Sequence, residues 1–246
     1  MAHPTVPLQD LKAVFFDIGG TLIGPNLALL GTWLRAAGVE CDDDQVARVE
    51  PLARRAHADL RHGVAGTPAI RGLYAREVIR RIWADQAIEL SRLESAVSLV
   101  LATASAEGYA TVPIWNEVLP GVREGLAALQ ARGLPLVAVS NSDGSAESVL
   151  VDAGLREAFA AVVDSHIAGF SKPDPRLFDV ARAVLGVEAA NVVHVGDIYE
   201  ADVVGAQAAG IAAVLIDAGN FWPDAPCIRV ANFAEAIGAI LGDTAS

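Results

Sequence analysis

The segment KAVFFDIGGTL, residues 12–22, is the part of the sequence that indicates the fold most clearly. An apolar run ends at Phe16 and is followed at once by Asp17 and a pair of glycines. An apolar run without polar alternation is typical of a strand that is buried on both faces, as in a parallel sheet. Similar runs recur along the chain at 134–139, 160–163, 192–195 and 212–216. Helical patterns separate these runs at 121–131, 174–185 and 201–209. Strands that alternate with helices predict an α/β fold built on a parallel sheet.

The stretch between residues 25 and 113 has a different pattern. It contains no convincing strand, and apolar residues recur at four-residue spacing from Ile70 to Ile82, as on the buried face of a helix. About four helices are expected here. We therefore predict an all-helical cap domain at 25–113, inserted into a Rossmann-like core domain formed by residues 1–24 and 114–246.

Composition and charge exclude several classes of protein. The chain has 246 residues, 53% of them hydrophobic, and a formal net charge of −12. This charge argues against nucleic-acid binding, which requires clustered Lys and Arg. No apolar stretch has the length of a membrane helix, and the N-terminus has no signal-peptide pattern. With only Cys41 and Cys227 the chain lacks a disulfide framework, so we expect a cytoplasmic protein with no nucleic-acid or membrane partner.

Four polar residues follow the predicted strands. Asp17 follows the first strand, Ser140 the second and Asp197 the fourth, while Lys172 lies in the loop after the third. In open parallel sheets, ligands bind beyond the carboxyl ends of the strands. We therefore expect these side chains to meet at one edge of the sheet, and their chemistry indicates a site for a metal ion and a phosphate group.

The four segments together resemble the motifs of the haloacid dehalogenase-like superfamily. These segments are DIGGTL at 17–22, SN at 140–141, KPDP at 172–175 and GDIYEAD at 196–202. The resemblance covers the core, about residues 11–23 and 114–218, and the helical insertion resembles the C1 cap of subfamily I. It implies a hydrolase, most simply a phosphatase that acts on a small phosphorylated metabolite.

The resemblance also implies roles for individual residues. Asp17 would be the nucleophile that forms an aspartyl-phosphate, with Lys172 and Ser140 as the other catalytic residues. The phosphate group would be bound by Gly20, Thr21, Ser140, Asn141 and Lys172. The implied cofactor is Mg²⁺, held by Asp17, the backbone carbonyl of Gly19, Asp197 and Asp202. Asp202 would act through a water molecule or by supporting the other ligands.

Gly19 departs from the pattern of the family, in which the second residue after the nucleophile is usually an Asp that serves as general acid and base. Three explanations are open. The leaving group does not need protonation, or another group such as His166 transfers the proton, or the protein is a non-catalytic phosphometabolite-binding or regulatory member of the fold. The dehalogenases of the superfamily also lack this Asp, so a 2-haloacid dehalogenase is a further alternative. A dehalogenase would leave Asp197 and Asp202 without a role.

Other residues are interpreted more simply. His194 lies within a predicted strand and is expected to be a hydrogen-bonded core residue. Residues 220–222 follow a predicted core strand, and their loop could border the site. No motif marks the cap side chains that would select the substrate, and no pattern indicates an oligomeric state.

Overall fold

The computed structural model describes residues 10–60, 67–84, 89–106 and 114–242. The chain forms two compact units. One combines the residues up to Gly24 with those from Asn116 onward, and the other is Pro25–Trp115. The predicted domain boundary at residue 113 lies outside the described residues.

A six-stranded parallel sheet forms the centre of the first unit. Its strand order is β5-β4-β1-β6-β7-β8, and each neighbouring pair is parallel. The strands are β1 (Ala13–Phe16), β4 (Leu136–Ser140), β5 (Ala161–Asp164), β6 (Val192–Gly196), β7 (Ala212–Ile216) and β8 (Ile228–Val230). Every residue of β1, β4 and β6 is buried. The α/β fold with a parallel sheet is therefore confirmed.

Three short strands were not predicted. β2 (Ile23–Pro25) and β3 (Trp115–Val118) form a separate two-stranded sheet, and β8 is the edge strand of the main sheet. β3 and β8 contain polar residues and are at most half-buried, so neither has the continuous apolar run of a central strand. β2 has only three residues, which is too short to show a pattern.

Helices connect the strands of this unit. They are α5 (Val122–Ala131), α6 (Ala146–Asp152), α7 (Ser165–Ala168), α8 (Pro175–Leu185), α9 (Val204–Ala208) and α10 (Phe233–Leu241). The bounds of α8 follow from its sequence. Asp174 caps its first turn by accepting a hydrogen bond from the backbone N–H of Arg176, Pro175 occupies the first helical position, and Gly186 ends it with φ of 65°.

The described residues of the second unit form four helices: α1 (Leu27–Ala36), α2 (Asp43–Leu60), α3 (Thr67–Ile82) and α4 (Leu90–Ala106). They pack around a hydrophobic core of their own that includes Trp33, Val78, Ile79 and Trp83. The four-residue apolar spacing in α3 is explained by this core, because Tyr74, Val78 and Ile82 are all buried in it. Within the described parts of both units, no helix combines the length and the hydropathy that a membrane span requires.

Candidate active site

Asp17 lies directly beyond the end of β1, in the middle of the main sheet. Its backbone N–H donates to the carbonyl of Val195 in β6 at 2.9 Å, so the hydrogen bonding of the sheet extends to the residue itself. Ser140 ends β4 on one side of β1, and Asp197 follows β6 on the other side. The parallel register therefore brings these three residues to one edge of the sheet, as the sequence predicted.

Lys172 reaches this edge from the loop that precedes α8. Its Nζ donates to Asp17 Oδ1 at 2.5 Å and to Asp202 Oδ1 at 2.6 Å. Only 2% of the residue is exposed. A buried ammonium is stable only when it is paired, and here it joins two carboxylates from separate parts of the chain.

Asp202 has hydrogen bonds at both of its carboxylate oxygens. It lies in a π-helical turn, Tyr199–Val203. Besides accepting from Lys172, Oδ1 lies 2.9 Å from His194 Nε2. Oδ2 accepts from the backbone N–H groups of Asp197 at 3.1 Å and of Ile198 at 3.0 Å. Asp202 therefore holds both Lys172 and the loop that carries Asp197.

The protonation states follow from burial and from these partners. Burial raises the pKa of Asp17, although Lys172 opposes this. Burial works against the ammonium of Lys172, but the Asp17 and Asp202 carboxylates together raise its pKa above the ordinary value. Burial also works against the Asp202 carboxylate, yet Lys172 and His194 hold the pKa of Asp202 far below its ordinary value. Lys172 is therefore charged and Asp202 ionised.

His194 is the buried partner that completes this network. It is fully buried in β6, as the sequence predicted for a core residue, and its ring packs edge-on against Phe178 at 4.9 Å between centroids. Burial is the main cause that lowers the pKa of His194. A neutral imidazole facing an ionised carboxylate must be protonated on the facing nitrogen, so Nε2 donates to Asp202.

The donor set at this edge fits a hard cation. Asp17, Asp197 and Asp202 are all buried, and one carboxylate oxygen from each lies within 4.8 Å of the others. Lys172 pairs with two of these three carboxyl groups, and it is the one ammonium that the described residues bring to this edge. Oxygen ligands of this kind suit Mg²⁺ or Ca²⁺, whereas zinc sites generally include His or Cys.

The turn after Asp17 is held by its own backbone. The N–H of Gly20 donates to the carbonyl of Ile23 at 2.7 Å, and the φ of Gly20 is 87°, which favours glycine. The side chain of Thr21 is fully buried. The N–H of Gly20 is thus already engaged, and the buried Thr21 Oγ1 has no hydrogen-bond partner among the described residues.

Asn141 has a partner that the sequence did not indicate. Its side-chain amide binds both the N–H and the carbonyl of the Lys172 backbone. Asp164, the last residue of β5, was also missed. Its buried carboxylate accepts from the N–H groups of Gly144 and Ala146 and so holds the loop after β4. Its position at a strand end was the signal that could have identified it.

His166, considered for proton transfer, lies on the short helix α7. It is exposed, and its backbone N–H donates to Asp164. Among the contacts that the structure describes, none joins His166 to Asp17 or Lys172. Its position therefore gives no support to a role in proton transfer.

The loop after β7 is built around Asp217. This carboxylate accepts from the backbone N–H groups of Phe221 at 2.7 Å and Trp222 at 3.0 Å, and it pairs with Arg229. The indole N–H of Trp222 donates to Glu200 at 3.2 Å, which connects the loop to the turn that contains Asp202. Of residues 220–222, Trp222 therefore contacts a neighbouring segment of the site.

Comparison with known proteins agrees with this geometry. Residues 11–210 match the family model described as haloacid dehalogenase-like hydrolase. Over 214 residues the chain is 35% identical to haloacid dehalogenase-like hydrolase domain-containing protein 3 of Mus musculus, covering 84% of this chain and 82% of the relative. It is 31% identical to a phosphoserine phosphatase of Thermus thermophilus over 242 residues, covering 92% and 97%. Among solved structures, the L-2-haloacid dehalogenase RSc1362 is similar with a TM-score of 0.64 and 20% identity, covering 94% and 99%. The chain belongs to the haloacid dehalogenase-like hydrolases.

Proposed function

We propose that the protein is a Mg²⁺-dependent phosphatase that acts on a small phosphorylated metabolite through an aspartyl-phosphate on Asp17. The observation that carries this proposal is the buried group of three carboxyl groups at the carboxyl edge of the sheet, two of which are paired with Lys172. A carboxylate can attack a phosphate dianion only where the surrounding negative charge is neutralised. A cation and an ammonium beside Asp17 would meet that requirement.

The proposed metal ligands are Asp17, Asp197 and the backbone carbonyl of Gly19. Both oxygens of Asp202 already accept hydrogen bonds, which favours a supporting role for this residue. When bound, Mg²⁺ would neutralise charge on the phosphoryl oxygens and keep Asp17 ionised against the effect of burial.

The steps carried by the chain itself are a displacement and a hydrolysis. An Asp17 oxygen forms a bond to phosphorus while the ester P–O bond breaks, and the leaving group departs with the electron pair. Lys172 donates hydrogen bonds to the phosphoryl oxygens, and the Ser140 hydroxyl donates another. Water then attacks phosphorus, which releases inorganic phosphate and restores the Asp17 carboxylate.

Gly19 limits the substrates that suit this chemistry. No carboxyl group stands two residues after the nucleophile to protonate the leaving oxygen. A positioned acid contributes about 10²–10⁴-fold to such a step. We therefore propose that leaving groups of low basicity, as in acyl or enol phosphates, are the preferred substrates.

Relatives and composition support the rest of the proposal. A relative that matches nearly the whole chain is named phosphoserine phosphatase, which supports a small phosphorylated substrate. We propose that the helical unit, Pro25–Trp115, is a C1-type cap domain. Two free cysteines suit a cytoplasmic protein.

A 2-haloacid dehalogenase is the second candidate. It is favoured by Gly19, because displacement of a halide does not require an acid. The similar dehalogenase structure, at 20% identity, supports the fold alone. Against it, the acidic groups of Asp197 and Asp202 beside Asp17 would repel a haloacid carboxylate.

The test is an activity panel on the full chain with and without Mg²⁺. Acetyl phosphate, p-nitrophenyl phosphate, glycerol phosphate and 2-chloropropionate represent acyl, aryl and alkyl phosphates and haloacids. We expect Mg²⁺-dependent turnover of the first two, and mass spectrometry should find a phosphoryl group on the peptide that contains Asp17.

Asp17→Asn and the exposed Asp152→Asn form a matched pair of variants for this panel. Turnover should be lost in the first and kept in the second. Turnover of 2-chloropropionate alone, without metal, would establish the dehalogenase instead. Binding of inorganic phosphate without any turnover would indicate a non-catalytic member of the fold.

A further inference from the structure

The side chain of Asn141 and the backbone of Lys172 form a closed pair of hydrogen bonds. The N–H of Lys172 donates to Asn141 Oδ1 at 2.7 Å, and Asn141 Nδ2 donates to the carbonyl of Lys172 at 2.9 Å. The orientation of the amide is unambiguous, because an N–H requires an oxygen and a carbonyl requires an N–H. The side chain therefore binds both polar backbone groups of a single residue that lies 31 positions away.

Lys172 lies outside the helices and strands, so no ladder of backbone hydrogen bonds holds it. The side chain of Asn141 binds the N–H and the carbonyl of Lys172, the two groups that a neighbouring strand would bind in a sheet. A lysine side chain has about 2 kcal/mol of rotamer entropy, so a defined backbone position restricts where its ammonium can reach. Here that ammonium reaches Asp17 and Asp202.

Asn141 is itself held by its loop. The neighbouring Ser142 donates its N–H to Ser165 Oγ at 3.0 Å and accepts from the same hydroxyl at 3.0 Å. Gly144 donates to the buried Asp164. The loop after β4 is thus attached to the end of β5, which provides a fixed base for the amide of Asn141.

We propose that Asn141 is a positioning residue that acts on the reaction through Lys172. Its side chain sets the place of the Lys172 backbone and so the alignment of the ammonium with Asp17. This inference rests on the proposed function, in which Lys172 binds the phosphoryl group.

The first test measures the backbone of Lys172 directly. Lys12 and Lys172 are the only lysines of the chain, so a protein labelled with [¹⁵N]lysine has two backbone amide signals. Lys12 is an internal reference, because its N–H donates to the backbone carbonyl of Asn191 at 2.8 Å. Asn191→Ala is the matched variant, since it removes one amide hydrogen bond, to Asp10, but keeps that carbonyl.

In Asn141→Ala we expect the Lys172 signal to shift. Its amide hydrogen should also exchange at least about tenfold faster, because the loss of one hydrogen bond changes the opening equilibrium by about that factor. The Lys12 signal should stay in place. Asn191→Ala should leave the Lys172 signal unchanged. An unchanged Lys172 signal in Asn141→Ala would overturn the inference, whether or not the protein is a phosphatase.

The second test is a double-mutant cycle between Asn141→Ala and Lys172→Met. Its readout is the affinity for inorganic phosphate in the presence of Mg²⁺, measured by calorimetry, so that it does not depend on turnover. We expect Asn141→Ala to weaken binding by about 10- to 100-fold when Lys172 is present, the range for partners that orient a binding side chain. In the Lys172→Met background the same substitution should change the affinity by less than about threefold.

The outcomes separate the inference from the proposed function. Equal losses from Asn141→Ala in both backgrounds would show that Asn141 does not act through Lys172, and the inference alone would fail. Full affinity for phosphate in Lys172→Met would remove the role proposed for the ammonium, and the proposed function would fail with it.

Discussion

A methyl group on Gly196 would lie 2.1 Å from Cγ of Asp202. The carboxylate of Asp202 packs directly on the α-carbon at the end of β6, and this approach lets Oδ2 accept from the N–H groups of Asp197 and Ile198. The φ of Gly196 lies outside the left-handed region, so its backbone conformation does not require a glycine. A side chain is excluded here because there is no space for it. The contact therefore joins Gly196, the last residue of β6, to Asp202, which binds Lys172.

Gly196→Ala should therefore displace the Asp202 carboxylate and weaken its hydrogen bonds to Lys172 and to the loop that carries Asp197. We expect the free energy of unfolding to fall by about 1–3 kcal/mol, the usual cost of overpacking, and the affinity for Mg²⁺ to fall with it. Urea denaturation and calorimetry measure the two effects. Gly72→Ala is the control, because its nearest contact would be Leu101 at 3.8 Å and a helix tolerates alanine. Equal behaviour of the two variants would contradict the packing argument.

Lys172→Met should leave two buried carboxylates without their common cation. Breaking a buried ion pair by removing one partner costs about 3–5 kcal/mol, and we expect a loss of that size in the free energy of unfolding at neutral pH. Lys12→Met, at the exposed second lysine, should change it by less than about 0.5 kcal/mol. A loss below about 1 kcal/mol in Lys172→Met would argue against a charged network at this position.

Gly19→Asp should supply the acid that this chain lacks. The φ of Gly19 is not positive, so an aspartate can adopt its backbone conformation without strain. We expect turnover of an alkyl phosphate such as glycerol phosphate to rise by about 10²–10⁴-fold, with a much smaller gain for acetyl phosphate. Gly20→Asp is the neighbouring control. At φ of 87° it should lose stability and gain no activity. A uniform change across all substrates would indicate that Gly19 does not determine the leaving group.

Glu50 should make stability depend on pH. It is buried in α2, where it accepts from the Tyr74 hydroxyl at 3.1 Å and lies 3.4 Å from Arg54 Nε. Burial, only partly offset by Arg54, raises the pKa of Glu50 above its ordinary value of 4.5. The folded state therefore binds this proton more tightly than the unfolded state, and the stability contributed by the protonated form is lost as the pH rises above 4.5.

Glu50→Gln should remove that dependence. Between about pH 4.5 and neutral pH, the free energy of unfolding of the variant should rise relative to that of the wild type. Urea denaturation at a series of pH values measures the difference. If the free energy of unfolding of the variant instead falls relative to that of the wild type as the pH rises, Arg54 lowers the pKa of Glu50 more than burial raises it.

The α/β class, the central strands and the chain positions of the chemical groups could be predicted without the structure. β1, β4 and β6 could be predicted because a strand buried on both faces must be a continuous apolar run, which is a local property. The meeting of Asp17 and Lys172 could be anticipated because parallel strands carry their carboxyl ends to one edge. β8 was not found, since an edge strand of three half-exposed residues has no such run.

The partners of these groups, in contrast, depend on how distant segments pack in the folded chain. The amide of Asn141 binds the backbone of Lys172, and His194 donates to Asp202, although no spacing in the sequence relates either pair. The sequence also does not indicate that the position of the Asp202 carboxylate requires a glycine at residue 196. Periodicity records which face of an element is buried. A hydrogen bond between loops depends on backbone positions and rotamers that are set only when the distant segments pack against one another.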